Sequence, residues 1–580
     1  MFLNALWQDL RQRVFLIFKN DFTAGGGFMA ELQFRWTSSL DKVFLNGEHP
    51  FTDYNCASAL QGEVFSLQLA YKSDILLNPC EITLLSPLAE VASIRQVYSM
   101  PATSFGEMQD DYIIDNKAGL YPDLLSSPSR YRSAVGLWHS VWITLRLKKD
   151  TLPGEYKLKL QFKHRNHYRK DRNFEIETPE FTLNVLPVQL PQARCKVTEW
   201  FYGDCLYRQY GVEPWSEEFF ALCRNYFCNM RSHGINMIYT PLFTPPLDTH
   251  VGYERPTFQS VKVFEDAEGC WRFDLSNLER YLLLAEECGM DYFEFSHLFT
   301  QWGAEFTPKI MVTLPDGSSV RRFGWDVRAN SELYQKFLQG VMVEVNKLLE
   351  KHNWSGKSYF HISDEPYEEN LEAYKQASEL FHRSLPGCRF IDALSRPEFF
   401  TNGYVDIPVP ANNHIEAFKE LDLPERWTYY CVSQWEAVPN QFAHFPSARN
   451  RILGLLLYVY DLDGFLHWGY NFWFGQLSTF EIDPYRDICA GNGFPPGDAF
   501  KVYPGKDGMP EDSIRHEVFF EGLQDLAALQ LLESRIGREK VLEFIADMCG
   551  GNLPKMDDYP HGAEFLLKFR SRLNSELAKY

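Results

Sequence analysis

Between residues 196 and 468 short apolar segments alternate with longer stretches of helical periodicity, which confines the chain to a parallel β/α architecture. Strand candidates fall near 196–202, 235–240, 291–296, 358–363, 389–393, 404–408, 427–432 and 463–468. Eight strands is the number that closes a (β/α)8, TIM-type barrel. Helical patterns occupy 216–233, 276–288, 331–352, 367–384 and 447–460. The fifth connection is short, so its helix is expected to be degenerate or absent.

A chain of 580 residues exceeds what one hydrophobic core supports, so the barrel is expected to have neighbours. From about Phe28 to Leu186, short β-type stretches such as 66–71 and 157–162 are separated by turn clusters such as Leu152-Pro153-Gly154-Glu155, the pattern of a β-sandwich. The stretch 141–163 reads as two strands joined by that turn, and 181–185 as a closing strand. A Pro-bearing connector, 186–192, then marks a boundary. After about Asp498 a loop rich in Gly and Pro leads to helical patterns at 513–532 and 538–548. The expected division is an all-β N-terminal sandwich over 1–190, a barrel catalytic domain over 191–505, and a helical segment over 506–580 packed on the barrel.

The formal charge of -20, with no run rich in Lys and Arg, argues against nucleic acid and anionic membranes as partners. The stretch 1–19 reads as amphipathic, broken by Asp9, Arg11 and Arg13. It lacks the apolar run of a signal peptide, and no other segment approaches a membrane span. A cytoplasmic protein is expected, fed by imported oligosaccharide fragments. The 12 cysteines are scattered, and Cys223 with Cys228 has no matching second pair or His partner, so free thiols are expected rather than zinc ligands. Aromatic residues make up 16 % of the chain, with 14 Trp, a surplus that suits the apolar faces of sugars.

In a (β/α)8 barrel the reactive groups sit just after each strand. Those positions hold Asp204, Thr244 with Asp248, His297 with Trp302, Asp364 with Glu365, Asp392, Gln434 with Trp435 and Glu436, and Trp468 with Tyr470 and Asn471. The set is acids, amides and aromatics, without a phosphate cradle, a nucleophile elbow or an HExxH pair. No metal or cofactor is expected. His361 and His467, inside strands, read as core or hydrogen-bonding residues.

The sharpest cluster is Tyr359-Phe360-His361-Ile362-Ser363-Asp364-Glu365-Pro366, a buried strand that ends in two acids. Ordinary retaining and inverting glycosidases hold two carboxyls about 5–9.5 Å apart on either side of the anomeric carbon. Neighbours with α-carbons about 3.8 Å apart are poorly placed for that. A pair acting from one side suits a 2-acetamido sugar, whose own amide oxygen attacks the anomeric carbon. Asp364 would then orient the acetamido N–H while Glu365 donates and recovers the proton. Two rival readings are a conventional retaining enzyme with Glu365 as acid/base and Glu436 as nucleophile, and a non-catalytic carbohydrate-binding protein.

The chain resembles the DUF4091 proteins, related to glycoside hydrolase family 123. The resemblance is carried by Tyr121-Pro122-Asp123-Leu124-Leu125, Thr244-Pro245-Pro246-Leu247-Asp248, 297–304 with Trp302, Ser363-Asp364-Glu365-Pro366 and Phe465-Leu466-His467-Trp468-Gly469-Tyr470-Asn471. Ser513-Ile514-Arg515, followed by Glu521-Gly522 and Asp525, is similar to the family's C-terminal signature, with Phe519 and Phe520 where a more polar helix is usual. The resemblance implies a β-sandwich followed by a (β/α)8 barrel, and exo-β-N-acetylgalactosaminidase activity by substrate-assisted catalysis with the roles given to Asp364 and Glu365. An oligosaccharide or glycoconjugate is the expected partner. Trp468, Tyr470 and Trp473, with Trp302, are candidates for walls of a sugar subsite. His297, Asp392, Gln434, Asn471 and one of Tyr429 and Tyr430 are candidates to bind hydroxyls or the acetamido group; consecutive strand residues point oppositely, so only one of the two Tyr can face inward.

Overall fold

The computed structural model describes residues 31–103, 110–166, 170, 173–301, 303–366, 371–385 and 387–580; the stretch 1–19, Trp302 and Tyr367 lie outside them. Each strand candidate of the repeating region contains a strand, except that the sixth begins late in its candidate and runs one residue past it: β1 (Lys196–Glu199), β2 (Met237–Thr240), β3 (Tyr292–Phe295), β4 (Ser358–Phe360), β5 (Arg389–Ala393), β6 (Ile407–Val409), β7 (Trp427–Tyr429) and β8 (Gly464–His467). They pair in parallel in the order β6-β5-β4-β3-β2-β1-β8-β7, which follows the chain around a ring. The seam between β6 and β7 is bridged only beyond the end of β6. Ala411 forms a single parallel bridge with Tyr429, and the Thr428 hydroxyl donates to the Pro410 carbonyl at 2.9 Å. Pro408 and Pro410 bring no N–H to a ladder, which accounts for the thin pairing there. The result is a nearly closed eight-stranded barrel.

Serine caps set where the helices begin. The hydroxyls of Ser216, Ser331 and Ser513 accept from the backbone N–H groups of Phe219, Tyr334 and His516, at the starts of helices Glu217–Ser232, Glu332–Lys351 and Ile514–Ile536. Ser276–Glu287 and Leu371–Ser384 match their expected patterns within the described residues. The fifth connection carries only the short helix Glu398–Thr401. The pattern at 447–460 is divided into Ser447–Arg451 and Leu453–Val459. Helix Ile514–Ile536 lies against Leu453–Val459 so closely that a Cβ at Gly454 would sit 1.8 Å from the Gly522 carbonyl oxygen. Two glycines are what permit this approach. Arg538–Met548 forms as expected, and a further helix, Ala563–Leu577, follows it. A four-stranded sheet (Lys262–Glu265, Trp271–Asp274, Ile310–Thr313, Ser319–Phe323), absent from the sequence reading, grows from the loops after β2 and β3.

The N-terminal part holds two sheets, of five and six strands. Trp36, Leu67, Leu69, Ile143, Leu160, Phe162, Phe181 and Leu183 form one buried cluster there. Two details differ from expectation. The two strands expected about the Leu152–Glu155 turn are present, Trp138–Arg146 and Gly154–His164, but they lie in different sheets, so the turn crosses between the sheets. The closing strand runs from Phe181 to Gln189, through most of the expected connector, with its register broken between Leu186 and Gln189, where Pro187 sits. Among the described residues no helix is long and apolar enough to cross a membrane.

Candidate active site

Strand β4 is fully buried, and His361, Ile362 and Ser363 continue inside the barrel before the chain reaches Asp364 and Glu365, both half-buried. Glu365 has φ +42°, a left-handed conformation uncommon for a residue with a side chain. It breaks the alternation of a strand, so the second carboxylate need not point away from the first. The Glu365 N–H donates to the Ala393 carbonyl at the end of β5, at 3.1 Å.

The segment before the pair is held by Asp392. Its Oδ1 accepts from the Ile362 N–H at 3.1 Å and its Oδ2 from the Ser363 N–H at 3.3 Å. Tyr374 donates its hydroxyl to Oδ2. His361 is wedged between two acids, with Nδ1 3.0 Å from Asp392 Oδ1 and Nε2 2.6 Å from Glu294 Oε1. Glu294 also accepts from the Trp200 indole at 2.8 Å and from the Thr198 hydroxyl. Burial alone would lower the His361 imidazole, but the bonds to Asp392 and Glu294 hold it up at about 9. His297 stacks on His361 with ring centres 4.2 Å apart, and burial and then the neighbouring imidazole push its pKa well below the ordinary value. Its Nδ1 meets the Tyr239 hydroxyl at 3.3 Å, and its Nε2 has no partner among the described residues.

Burial and the adjacent charge of Glu365 push the Asp364 carboxyl well above the carboxylate range; His361 opposes the rise, while Asp392 and Asp248 add to it. Asp248, after β2, is raised to about 6 by burial, and its Oδ2 accepts from the Leu477 N–H at 2.8 Å. On the other side of the pair a cavity of about 470 Å³ is lined by Glu365, Ser395, Arg396, His414, Tyr429 and Gln434. The Tyr429 hydroxyl donates to Glu365 Oε1 at 2.6 Å. Tyr430 turns the other way, buried against Phe465 and His467. A larger cavity, about 590 Å³, lies between the N-terminal sheets and the C-terminal helices, where its charged residues Arg451, Glu521, Glu63 and Arg570 pair with acids or bases of that junction.

The strand-end residues thus separate into two groups. Glu365, Tyr429 and Gln434 line the cavity together; Asp364 precedes Glu365 off that lining, with Asp248 near enough to raise it, and His297 lies behind on His361. Asp392 faces inward and spends both oxygens on the protein, so it is not available to a sugar hydroxyl. Asp204 is buried in an ion pair with Arg255 at 2.7 Å, and Thr244 accepts from the Phe258 N–H. Tyr470 points outward to Asn229 at 2.8 Å, Asn471 clamps the Tyr202 backbone through both ends of its amide, and Trp473 is buried against Tyr226. Trp468 is half-buried, with its indole N–H on Asp498 at 2.9 Å and its ring against Phe472 and Phe494. Trp435 is half-buried, and Glu436 is exposed and outside the cavity that Glu365 lines. Glu294, Tyr374, Arg396 and His414 were not among the sequence candidates. Glu294, an acid within the aromatic strand Tyr292-Phe293-Glu294-Phe295, is the one whose position carried a signal.

A nearly closed parallel barrel whose fourth strand leads into adjacent carboxylates, one of them lining a cavity, has the layout of a barrel glycoside hydrolase. The model of the glycoside hydrolase 123 catalytic domain matches residues 200–532, and the chain belongs to that family. A solved structure of a family 123 glycoside hydrolase from Clostridium perfringens, described for glycolipid glycan hydrolysis, superposes with a TM-score of 0.70 at 14 % identity, covering 94 % of this chain and 97 % of that one. A family 5 mannosidase from Rhizomucor miehei aligns over 61 % of this chain and 94 % of its own at 13 % identity, with a TM-score of only 0.31. No curated protein matches the chain.

Proposed function

We propose that the protein removes a terminal β-linked N-acetylgalactosamine from an oligosaccharide or glycoconjugate by substrate-assisted, retaining catalysis, with Asp364 orienting the acetamido group and Glu365 as general acid/base. The observation that carries this reading is the pair itself. Two adjacent carboxyls follow one barrel strand, Glu365 lines the cavity and accepts from Tyr429, and Glu436 is exposed and outside that cavity. Glu365 lines the cavity, which we assign to the leaving group, whereas Asp364 has His361, Asp392 and Asp248 about it. The carboxylate charge of Glu365 beside Asp364 opposes the ionisation of Asp364. An acetamido N–H arriving at Asp364 favours the ionised form there, which leaves the proton with Glu365 for the departing oxygen. The amide oxygen then attacks the anomeric carbon as the glycosidic bond breaks, and water activated by Glu365 opens the oxazoline ring. The Clostridium perfringens enzyme acts on glycolipid glycans, which makes glycolipid headgroups a sensible first substrate. We read the architecture as a β-sandwich over 1–190, a (β/α)8 barrel over 191–505 and a helical segment over 506–580, with helix Ile514–Ile536 packed on the barrel.

Turnover on a panel of nitrophenyl glycosides should be confined to 2-acetamido sugars, and a thiazoline mimic of the oxazoline should inhibit it. Covalent labelling of Glu436 by a fluorosugar, with weak thiazoline binding, would refute the mechanism.

A further inference from the structure

Both nitrogens of His361 lie within hydrogen-bond distance of carboxylate oxygens, Glu294 Oε1 at 2.6 Å and Asp392 Oδ1 at 3.0 Å, and the ring is fully buried. A neutral imidazole has one donor and one acceptor, so it cannot satisfy two carboxylates; an imidazolium can. We propose that His361 is a positioning residue: as a buried imidazolium clamped between Glu294 and Asp392, it supplies the positive charge beneath the acidic pair and, through Asp392, fixes how Asp364 and Glu365 leave β4. The proposal rests on the reading of Asp364 as the ionised partner of the acetamido N–H.

Two features of the geometry support it. Asp392 bonds His361 and the N–H groups of Ile362 and Ser363 at once, so the ring and the backbone leading into Asp364 are held by one carboxylate. The charges around Asp364 are otherwise mostly negative. Glu365 follows it on the chain, Asp392 comes from β5 and Asp248 from the loop after β2, and each disfavours its ionisation; His361 favours it. Tyr239 of β2 and Tyr429 of β7 also couple to Asp364, and both are raised well above the ordinary phenol range by burial, hence neutral. Arg255, near Asp248, is paired with Asp204. Around His361 itself stand Glu294 of β3, Asp392 of β5, and His297, which burial keeps neutral. Tyr374 of helix Leu371–Ser384 is bonded to Asp392.

The sign of the effect follows from these charges. Removing the imidazolium makes Asp364 harder to ionise, so the acid limb of the kcat/KM profile should move to higher pH in His361→Gln, by about one to two units, the size of shift a neighbouring opposite charge produces. Glu294→Gln leaves the imidazole one carboxylate to donate to instead of two, so it holds its proton less firmly and the limb should move the same way, less far. A scaffolding role alone would lower rate or stability in both variants and leave the limb where it is. The charge state is read separately on the wild-type full chain, by 15N NMR after selective histidine labelling, with His361 identified by the signal lost in His361→Gln or His361→Asn. Two protonated ring nitrogens at pH 7.5 are expected, and a neutral tautomer there overturns the proposal. So does a limb that stays put or moves to lower pH in His361→Gln, on whichever glycoside the panel shows to be turned over. Lack of turnover on every glycoside, with His361 still doubly protonated, would instead overturn the function proposed for Asp364, and the positioning role with it.

Discussion

Glu365 combines a left-handed backbone at φ +42° with a side chain hydrogen-bonded to Tyr429, in a chain segment that Asp392 holds from beneath. A residue of this type in that region costs on the order of 1–3 kcal/mol, which surrounding structure must offset. Here the Ala393 carbonyl and the Asp392 clamp do so, and the gain is two adjacent carboxyls after one barrel strand. Their separate tasks can be read from leaving-group dependence. If Glu365 protonates the departing oxygen, Glu365→Gln should lose about 10²–10⁴-fold on sugar aglycones and far less on activated aryl glycosides, which need little protonation to depart. Asp364→Asn should slow both kinds by roughly 10²–10³-fold, because charge develops on the acetamido group whatever leaves. Steady-state rates on a series of aryl glycosides of graded leaving-group pKa check both; equal slopes for the two variants would contradict the division of labour.

At the scale of elements, the barrel depends on how helix Ile514–Ile536 is docked. Arg515 lies in its first turn and reaches Asp123 in the N-terminal sheet through Nε and Nη2, each at 2.9 Å, while Nη1 donates to the Gly497 and Phe500 carbonyls. Arg515→Ala would leave Asp123 buried with one fewer partner, a loss expected to cost about 3–5 kcal/mol. Arg515→Lys should recover little, since an ammonium cannot reproduce the fork. The thermal midpoints of the two variants test this, and a midpoint near wild type for either would contradict it. Elements with local signals were legible in the sequence: the serine-capped helices, and strands bounded by turns. The four-stranded insertion was not, because its strands of four or five residues carry too few positions for a period to stand out. The site was legible to the same depth. Asp364 and Glu365 announce themselves at the end of an apolar strand, whereas the choice between Tyr429 and Tyr430, the inward turn of Asp392 and the outward turn of Tyr470 depend on neighbours distant in sequence. Glu294 could be noticed as an acid among aromatics, but its partner His361 is known only once β3 and β4 are aligned.

For the whole molecule, the sheets and the barrel are joined by more than a connector. Leu40, Phe44, Val97, Met100, Tyr121, Leu124 and Trp142 of the N-terminal part belong to the same buried cluster as the barrel core. Arg95 donates to Asp512 at 2.6 Å and also to Glu517, Lys42 donates to the Ala443 and Phe445 carbonyls at 2.6 and 2.9 Å, and Ser39 donates to Glu521 at 2.8 Å. Most of these polar groups are buried and all find partners across the junction, so separating the two parts would expose apolar surface, strip Lys42 of its carbonyl acceptors and take Arg95 from Asp512 and Glu517, which would keep Asn229 and His233. Burial already lowers Lys42 to about 7, and it is the neighbouring Asp123 that pulls it back up. The parts should therefore unfold together, in one calorimetric transition. A chain beginning at Ala193 should aggregate rather than fold. Limited proteolysis should nick exposed loops without releasing a stable barrel, and recovery of an active, monodisperse fragment from about Ala193 onward would show that the junction contributes little and that the barrel stands alone.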